Sequence, residues 1–139
     1  QLNHFYKKII NAKLINAKKH RIAIWGLTFK PETDDLRESV SLKLINLLAS
    51  KVHSLHLYDP MADYKEVANE LRGAKNIIFY DDKYKAAKEC HSIVLATEWK
   101  EFWELKAALI KGKTIFDGRN IYDHEYYKKH QVNVIGIGL

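Results

Sequence analysis

The sequence has few of the residues and patterns that mark the special classes of protein. It contains one cysteine, Cys90, which excludes an internal disulfide and suits a reducing cytoplasm. Its apolar runs are far shorter than the roughly 20 residues that cross a bilayer. The histidines are dispersed and show no metal-ligand spacing with Cys90 or with paired carboxylates. We therefore expect a cytoplasmic protein with no metal and no membrane segment.

Glycine is also sparse where a dinucleotide-binding loop needs it. The first predicted strand is followed by a single glycine, Gly26, so the Gly-x-Gly-x-x-Gly fingerprint is absent. Two interpretations of Gly26 remain open, a tight turn at the strand end and a close contact with a ligand. Cys90 has no partnered histidine in the pattern, and a buried structural thiol is the interpretation we favour. No catalytic residue is assigned.

Basic residues outnumber acidic ones without forming a basic run. The formal charge of +6 comes from lysines and arginines scattered through the predicted helices. This scatter favours a solvated surface, and an anionic ligand is the next interpretation. Nucleic acid comes last, so no nucleic-acid partner is expected.

Short apolar strands alternate with helical segments from residue 21 onward. The predicted strands are 21–25, 55–58, 77–79, 92–96, 114–116 and 132–137. The predicted helices are 2–19, 36–50 (or from residue 39), 64–71, 83–90, 101–110 and 123–130. Gly73 and Gly112 are expected to end the helices before them. This alternation predicts a doubly wound, mostly parallel, Rossmann-like α/β sheet with helices on both faces, formed by residues 21–139.

The segment before the first strand has the apolar spacing of an amphipathic helix. No strand and no cap signal precede it, so we interpret residues 1–20 as the end of a long connecting helix that arrives from elsewhere. We therefore expect the chain to be a piece of a longer protein, and we expect its apolar face, which includes Phe5 and Ile9, to need a partner outside it.

Polar side chains concentrate in the loops that follow the strands. They occur at 28–37, at Asp59, at 97–99 and at 117–120, whereas the loops that lead into the strands are plain. Because all strand-to-helix loops of a parallel sheet emerge at one edge, where ligands bind, these loops predict a binding site there.

Three cations in these loops are candidates for holding an anion. Lys30 precedes Pro31, which disfavours a helical conformation at Lys30 and places it for a phosphate or carboxylate. A solvated lysine is the alternative for Lys30. Arg37 and Arg119 offer planar forks that suit the same anions.

Two further patterns in these loops have structural interpretations. Asp35 and Glu38 have the spacing of a capping box at a helix start. Trp99, Phe102 and Trp103 have helical spacing, which favours a place in the core over a stacking platform, although Trp99 could line a site.

Five ordered motifs in the sequence resemble those of the nucleotide-sugar dehydrogenases, the UDP-glucose/GDP-mannose dehydrogenase family, in their C-terminal UDP-binding domain. The motifs are Gly26-Leu27-Thr28-Phe29-Lys30-Pro31-x-Thr33-Asp34-Asp35-x-Arg37-x-Ser39, Tyr58-Asp59-Pro60, Thr97-Glu98-Trp99-x-x-Phe102, Asp117-Gly118-Arg119-Asn120 and Gly136-x-Gly138. The sequence departs from the family at Val40, where many relatives have proline, and at the bulky Trp25.

The resemblance implies an NAD-dependent oxidation, in two steps and with four electrons, of UDP-glucose to UDP-glucuronate. In this family the catalytic cysteine and lysine lie in the central part of the enzyme and the NAD loop lies in the N-terminal domain. The resemblance thus implies that those two domains are partners of this one, that the full-length enzyme is a homodimer, and that this chain alone is inactive.

The resemblance also implies roles for individual residues. Phe29 and Lys30 would contact the nucleotide-sugar, Arg119 its uridine portion, and Arg37 would reach the NAD held by the other domain. The alternatives are a dehydrogenase of another nucleotide-sugar, such as UDP-N-acetyl-mannosamine or GDP-mannose, and a non-catalytic α/β interaction module.

Overall fold

A six-stranded parallel sheet forms the centre of the protein in a computed structural model that describes residues 2–12, 17–71 and 73–136. Its strands are β1 (Arg21–Trp25), β2 (Ser54–Tyr58), β3 (Ile77–Phe79), β4 (Ser92–Leu95), β5 (Thr114–Asp117) and β6 (Asn133–Gly136). They lie in the order β3-β2-β1-β4-β5-β6, and every neighbouring pair is parallel. The predicted doubly wound α/β fold is therefore confirmed.

Helices cover both faces of this sheet. They are α1 (Leu2–Asn11), α2 (Val40–Leu48), α3 (Tyr64–Glu70), α4 (Lys83–Ala87) and α5 (His124–Lys129), with 3₁₀ turns at Ala17–Lys19, Lys100–Phe102 and Ala107–Ile110. Successive side chains of a strand point to opposite faces. Ile22 and Ile24 of β1 accordingly join the core beneath α1, α2 and α3. Ala23 and Trp25 join the second core, on the side of α4 and α5.

None of the helices in the described ranges combines the length and the apolarity needed to cross a lipid bilayer.

The segment predicted as one helix at 101–110 is instead two separate 3₁₀ turns. The buried apolar residues of this segment are Phe102, Leu105 and Ile110. Their spacing of i, i+3 and i+8 would also suit one face of an α-helix. Between the two turns, however, the Lys106 N–H donates to the Tyr84 hydroxyl at 2.9 Å, so a contact with another element takes the donor that a continuous helix would use. The prediction of a continuous helix was wrong for this reason.

The expectation that Gly73 caps α3 was also wrong. The cap is Leu71, whose N–H donates to the carbonyls of Val67 and Ala68. Gly73 does not take the left-handed conformation of a glycine cap. The backbone of Leu71 already departs from helical geometry, at φ −111° and ψ 29°, so the helix reaches its cap two residues before Gly73. Gly112 does take that conformation, at φ +82°, after the last 3₁₀ turn.

The apolar face of α1 is covered within the chain, not left for an outside partner. Phe5 and Ile9 are fully buried in the core that α2 shares. The expectation of an outside partner was therefore wrong for this part of the face, which packs against α2. Residues 13–16 of the predicted 2–19 helix lie outside the described residues, as do Ile137 of the last predicted strand and Gly138 of the closing motif.

Candidate functional site at the carboxyl edge of the sheet

The loops after β1, β2, β4 and β5 all leave the sheet at its carboxyl edge. β1 and β4 are neighbours at the centre of the sheet, and the chain continues from them onto opposite faces. Ligands of open α/β sheets bind at the carboxyl edge beside such a reversal of strand order. The loops after β1, β2, β4 and β5 therefore form the candidate site.

Gly26 is required where the loops after β1 and β4 touch. It has φ +94°, and a Cβ at this position would lie 2.6 Å from Thr97 Cβ and 2.7 Å from the Thr97 backbone nitrogen. Thr97 in turn donates its hydroxyl to the carbonyl of Thr28, 3.0 Å away. The tight turn and the close approach of Thr97 together account for this glycine.

Asp59, buried at the end of β2, holds two loops by their backbone N–H groups. Its Oδ2 accepts from Leu27 at 2.7 Å and Thr28 at 3.3 Å. Its Oδ1 accepts from Met61 and Ala62, both at 2.8 Å. The sequence marked Asp59 as a polar residue of the edge but did not reveal this role, because its partners in the first loop are about 30 residues away. An aspartate directly after a buried strand is the signal that pointed to it.

Two serines fix the far end of the first loop against its start. Ser39 Oγ donates to the Leu27 carbonyl at 2.7 Å, and Ser41 Oγ donates to the Gly26 carbonyl at 2.6 Å. Ser39 Oγ also accepts from the Leu42 N–H, which makes Ser39 the N-cap of α2. The helix thus begins at Val40, and the loop is closed at its base.

The capping box predicted for Asp35 and Glu38 is not formed. With Ser39 as the cap, Glu38 takes a left-handed conformation at φ +60° just before α2. Asp35 instead accepts hydrogen bonds from Arg37. Its Oδ1 accepts from the Arg37 backbone N–H and from Nε, and its Oδ2 accepts from Nη2. The hydrogen bonds from Arg37 lower the pKa of the Asp35 carboxyl to about 2.

The tip of the first loop carries Phe29 and Lys30 into solvent. The Phe29 N–H donates to the Asp35 carbonyl at 2.7 Å, and this hydrogen bond closes the loop formed by residues 30–34. Phe29 is 52% exposed, an unusual position for a phenylalanine on a structured loop. Lys30 is exposed beside it. Both side chains are thus available to a ligand at this edge.

Arg37 also points outward, with its side chain 89% exposed despite the ion pair with Asp35. It borders a cleft of about 850 Å³ between residues 33–39, α2 and α3. Acidic side chains outnumber basic ones in the lining of this cleft, since Asp34, Asp35, Glu38, Glu66 and Glu70 face Arg37 and Lys43. The cleft is a poor place for an anion, which leaves the strand ends as the better one.

Arg119 is presented by the loop after β5. Asp117, fully buried at the end of β5, accepts from the Arg119 N–H through Oδ1 and from Ile121 and Tyr122 through Oδ2. Asn120 follows in a left-handed conformation at φ +57°. Arg119 Nε donates to Glu98 Oε2 at 2.6 Å. The guanidinium is thus held over the strand ends.

The aromatic residues after β4 divide between the core and the surface. Phe102 is buried and stacks on Trp25 with ring centroids 5.3 Å apart. Trp99 is buried as well, and its indole nitrogen has no hydrogen-bond partner within the described part of the chain. Trp103 is 54% exposed and donates from its indole to the Glu98 carbonyl. The predicted core role therefore fits Trp99 and Phe102 and fails for Trp103, which Glu98 holds at the surface.

The four predicted site residues, Phe29, Lys30, Arg37 and Arg119, lie at the same edge, and the three cations differ in whether an acidic side chain pairs with them. Among residues 2–12, 17–71 and 73–136, Arg37 pairs with Asp35 and Arg119 pairs with Glu98, whereas Lys30 has no ion pair. Sequence reasoning missed the partner of Arg119. The sequence carried no signal for it, because the pairing that sets Leu95 opposite Asp117 in β4 and β5 is a property of the fold. That pairing brings the acidic residue after one strand near the basic residue after the other.

Cys90 lies at the opposite, amino edge of the sheet, directly before β4. Its thiol donates to the Ala86 carbonyl at 3.3 Å, and burial raises its pKa to about 12. The interpretation of a structural thiol fits this environment. Within the described ranges, no three His, Cys, Asp or Glu side chains are grouped so that they could hold a metal ion.

Comparison with known proteins relates this geometry to a family. The model of the UDP-glucose/GDP-mannose dehydrogenase family, UDP binding domain, matches residues 23–124. The UDP-glucose 6-dehydrogenase of Drosophila melanogaster is 31% identical over 99% of this chain, which covers 32% of that protein. The enzyme of the same name from Rickettsia prowazekii is 36% identical over 87% of the chain, which covers 28% of it.

A solved structure has the same fold. It is that of a UDP-glucose dehydrogenase from the hyperthermophilic archaeon Pyrobaculum islandicum, which superposes with a TM-score of 0.77 at 23% identity and covers 99% of this chain and 29% of its own. The chain spans about a third of the length of the curated relatives it matches. The matched residues 23–124 include the loops after β1, β2, β4 and β5, and the chain belongs to the UDP-glucose/GDP-mannose dehydrogenase family, of which it carries the UDP-binding domain.

Proposed function

We propose that this chain binds the nucleotide-sugar of an NAD-dependent UDP-glucose 6-dehydrogenase, which converts UDP-glucose to UDP-glucuronate. The observation that carries the proposal is the presentation of Lys30 and Arg119 at the carboxyl edge of the sheet, on loops that lie within the residues matched by the UDP-binding family model. Oxidation itself would depend on residues outside this chain.

The environments of the four site residues support a division of roles. Lys30 has no ion pair among the described residues, so its charge is available to a diphosphate. Phe29 offers an exposed ring beside it. Arg119 is held rigidly by its backbone and side chain and would contact the uridine portion.

The NAD would be held mainly by another domain, because Gly-x-Gly-x-x-Gly is absent after β1. Arg37 would reach that NAD from its exposed position. NAD supplies the hydride acceptor for such an oxidation. The proposed partners are the N-terminal and central domains and a second subunit in a homodimer, working in the cytoplasm.

The experiment is a titration of the 139-residue protein with UDP, followed by NMR or calorimetry. We expect saturable binding, and we expect Arg119→Ala to abolish it or weaken it by about tenfold or more, because a charge-assisted contact is removed. Lys75→Ala, which removes an exposed lysine in the loop before β3 at the amino edge, is the matched control and should bind like the wild type.

Two further experiments separate the alternatives. GDP in place of UDP tests the GDP-mannose alternative, and the full-length protein assayed against UDP-glucose and UDP-N-acetyl-mannosamine tests the sugar. Absence of a UDP response in the wild type, together with salt-sensitive binding of DNA or RNA, would instead favour an interaction module.

A further inference from the structure

We infer that Glu98 is the positioning residue of the nucleotide site: it aims the Arg119 guanidinium by holding its Nε. This inference rests on the proposed function and adds to it a residue that would act through Arg119 and not on the ligand itself.

The contact between the two side chains leaves the outer end of Arg119 available. Glu98 Oε2 accepts from Arg119 Nε at 2.6 Å. The Glu98 side chain is 27% exposed and the Arg119 side chain is 37% exposed. No hydrogen bond from the two terminal nitrogens of Arg119 is formed within residues 2–12, 17–71 and 73–136. Glu98 therefore binds the guanidinium through Nε, and the N–H groups of the two terminal nitrogens remain available to a ligand.

The backbone of Glu98 is fixed by contacts of its own and of its two neighbours. The Trp103 indole donates to its backbone carbonyl at 3.1 Å. On one side of it Thr97 is buried and hydrogen-bonded to the Thr28 carbonyl. On the other side Trp99 is buried in the core. The Glu98 carboxylate thus projects from a short segment that is fixed at both ends.

The backbone of Arg119 is also fixed, by a hydrogen bond to a buried residue. Its backbone is tied to Asp117, which stands opposite Leu95 in the paired strands β4 and β5. The two side chains therefore start from neighbouring strand ends, and their separation is set by the sheet, not by a mobile loop.

Two opposing effects decide what this pairing does for binding. The Glu98 charge partly neutralises Arg119 and so weakens a long-range pull on an anion. Against this, an unheld arginine loses much rotamer freedom when a ligand orders it, whereas Glu98 has already ordered it. For a contact with the uncharged uridine portion, which gains little from net charge, the ordering effect dominates. Glu98 should then strengthen UDP binding.

A double-mutant cycle on the 139-residue protein tests this inference, with the UDP dissociation constant measured by calorimetry for the wild type, Glu98→Ala, Arg119→Ala and the double variant. We expect Glu98→Ala to weaken UDP binding by about tenfold, within the range measured for coupled neighbouring residues. We expect it to have no further effect once Arg119 is alanine. Glu98→Gln keeps an oxygen that can accept from Nε and should restore binding to within about threefold of the wild type.

Glu104→Ala, which removes an exposed acid six residues further along, is the control and should leave UDP binding unchanged. Thermal melting verifies that each variant is folded, and Glu98→Ser replaces Glu98→Ala if the alanine variant is not. The inference falls if Glu98→Ala binds UDP as well as or better than the wild type, or if it weakens binding equally with and without Arg119. A wild type that does not bind UDP would overturn the proposed function as well.

Discussion

Gly26 combines two constraints that a side chain cannot meet together. Its φ of +94° is unfavourable for any residue with a Cβ, and the space that a Cβ would fill holds the Cβ and the backbone nitrogen of Thr97. Gly26→Ala must therefore both strain the turn and separate the loops after β1 and β4. We expect the free energy of unfolding to fall by about 2–4 kcal/mol, measured by urea denaturation.

Gly112 separates the two effects. It also has a positive φ, +82°, but nothing lies within 4 Å of the position that its Cβ would occupy. Gly112→Ala should therefore show the backbone strain alone, a loss of about 1 kcal/mol. Equal losses in the two variants would mean that the contact with Thr97 does not constrain Gly26.

Gly26 and Glu98 show what could be predicted from the sequence around the site. The polarity of the strand-end loops and the alternation of strands and helices were sufficient to place Lys30, Arg37 and Arg119 at one edge. The partners of these residues could not be read in the same way, because Arg119 and Glu98 are 21 positions apart and meet only when β4 and β5 pair. Local spacing suggested an Asp35–Glu38 capping box, whereas the contact of Ser39 with Leu27 decides the helix start.

The helix α1 is part of the domain by its packing, whatever precedes it in sequence. Phe5 and Ile9 are buried against the same core as α2. Phe5→Ala should lower the free energy of unfolding by about 3–5 kcal/mol, because it removes a large buried side chain and leaves a cavity. Chemical denaturation with a single cooperative transition is the measurement.

A neighbouring residue of the same helix provides the comparison. Lys8→Ala changes the exposed face of α1 and should alter the unfolding free energy by about 0.5 kcal/mol or less. If Phe5→Ala were as mild as Lys8→Ala, α1 would be only loosely attached. That result would favour the interpretation of residues 1–20 as purely a connecting element.

The strands and helices were predictable to different degrees, for a physical reason. The four inner strands, β1, β2, β4 and β5, are buried on both faces, which makes their apolar signal strong in a parallel sheet. The edge strands β3 and β6 are only partly buried, but their short apolar runs still indicated strands. The connection between β4 and β5 has helical spacing at its buried residues Phe102, Leu105 and Ile110, yet it forms two separate 3₁₀ turns. A regular helix was predicted there, but the hydrogen bond from the Lys106 N–H to the Tyr84 hydroxyl interrupts it, and a contact between residues 22 positions apart could not be predicted from local spacing.

The two edges of the sheet differ in chemistry, and the amino edge gives the protein a pH-dependent stability. His20 Nε2 lies 3.0 Å from Ser92 Oγ, and its ring centroid is 5.1 Å from that of His91. Burial, followed by the charge of His91, lowers the pKa of His20 to about 4 from 6.5. The folded state therefore disfavours the protonated form, and the unfolded state takes up the proton first.

The sign of the effect follows from that order. Stability from neutral His20 is complete above pH 6.5 and is lost as the pH falls from 6.5 towards 4. Since the ring is only partly buried, we expect a loss of about 1–2 kcal/mol across this window after solvent screening. Denaturation series at several pH values should show a flatter pH dependence for His20→Gln than for the wild type. His4→Gln, on the exposed face of α1, should retain the wild-type slope, and a His20→Gln slope equal to it would contradict the prediction.

The separation of the two edges also predicts that this chain alone does not oxidise UDP-glucose. A thiol nucleophile has to be partly ionised and must reach the substrate. Cys90 meets neither condition, because its pKa is raised to about 12 and it lies before β4, at the edge opposite Lys30 and Arg119. We expect no NADH absorbance when the 139-residue protein is incubated with UDP-glucose and NAD, although UDP still binds.

Cys90→Ala should bind UDP with unchanged affinity, and alkylation of Cys90 in the folded protein should be slow until denaturant is added. NADH formation that disappears in Cys90→Ala would show instead that this thiol reaches the substrate.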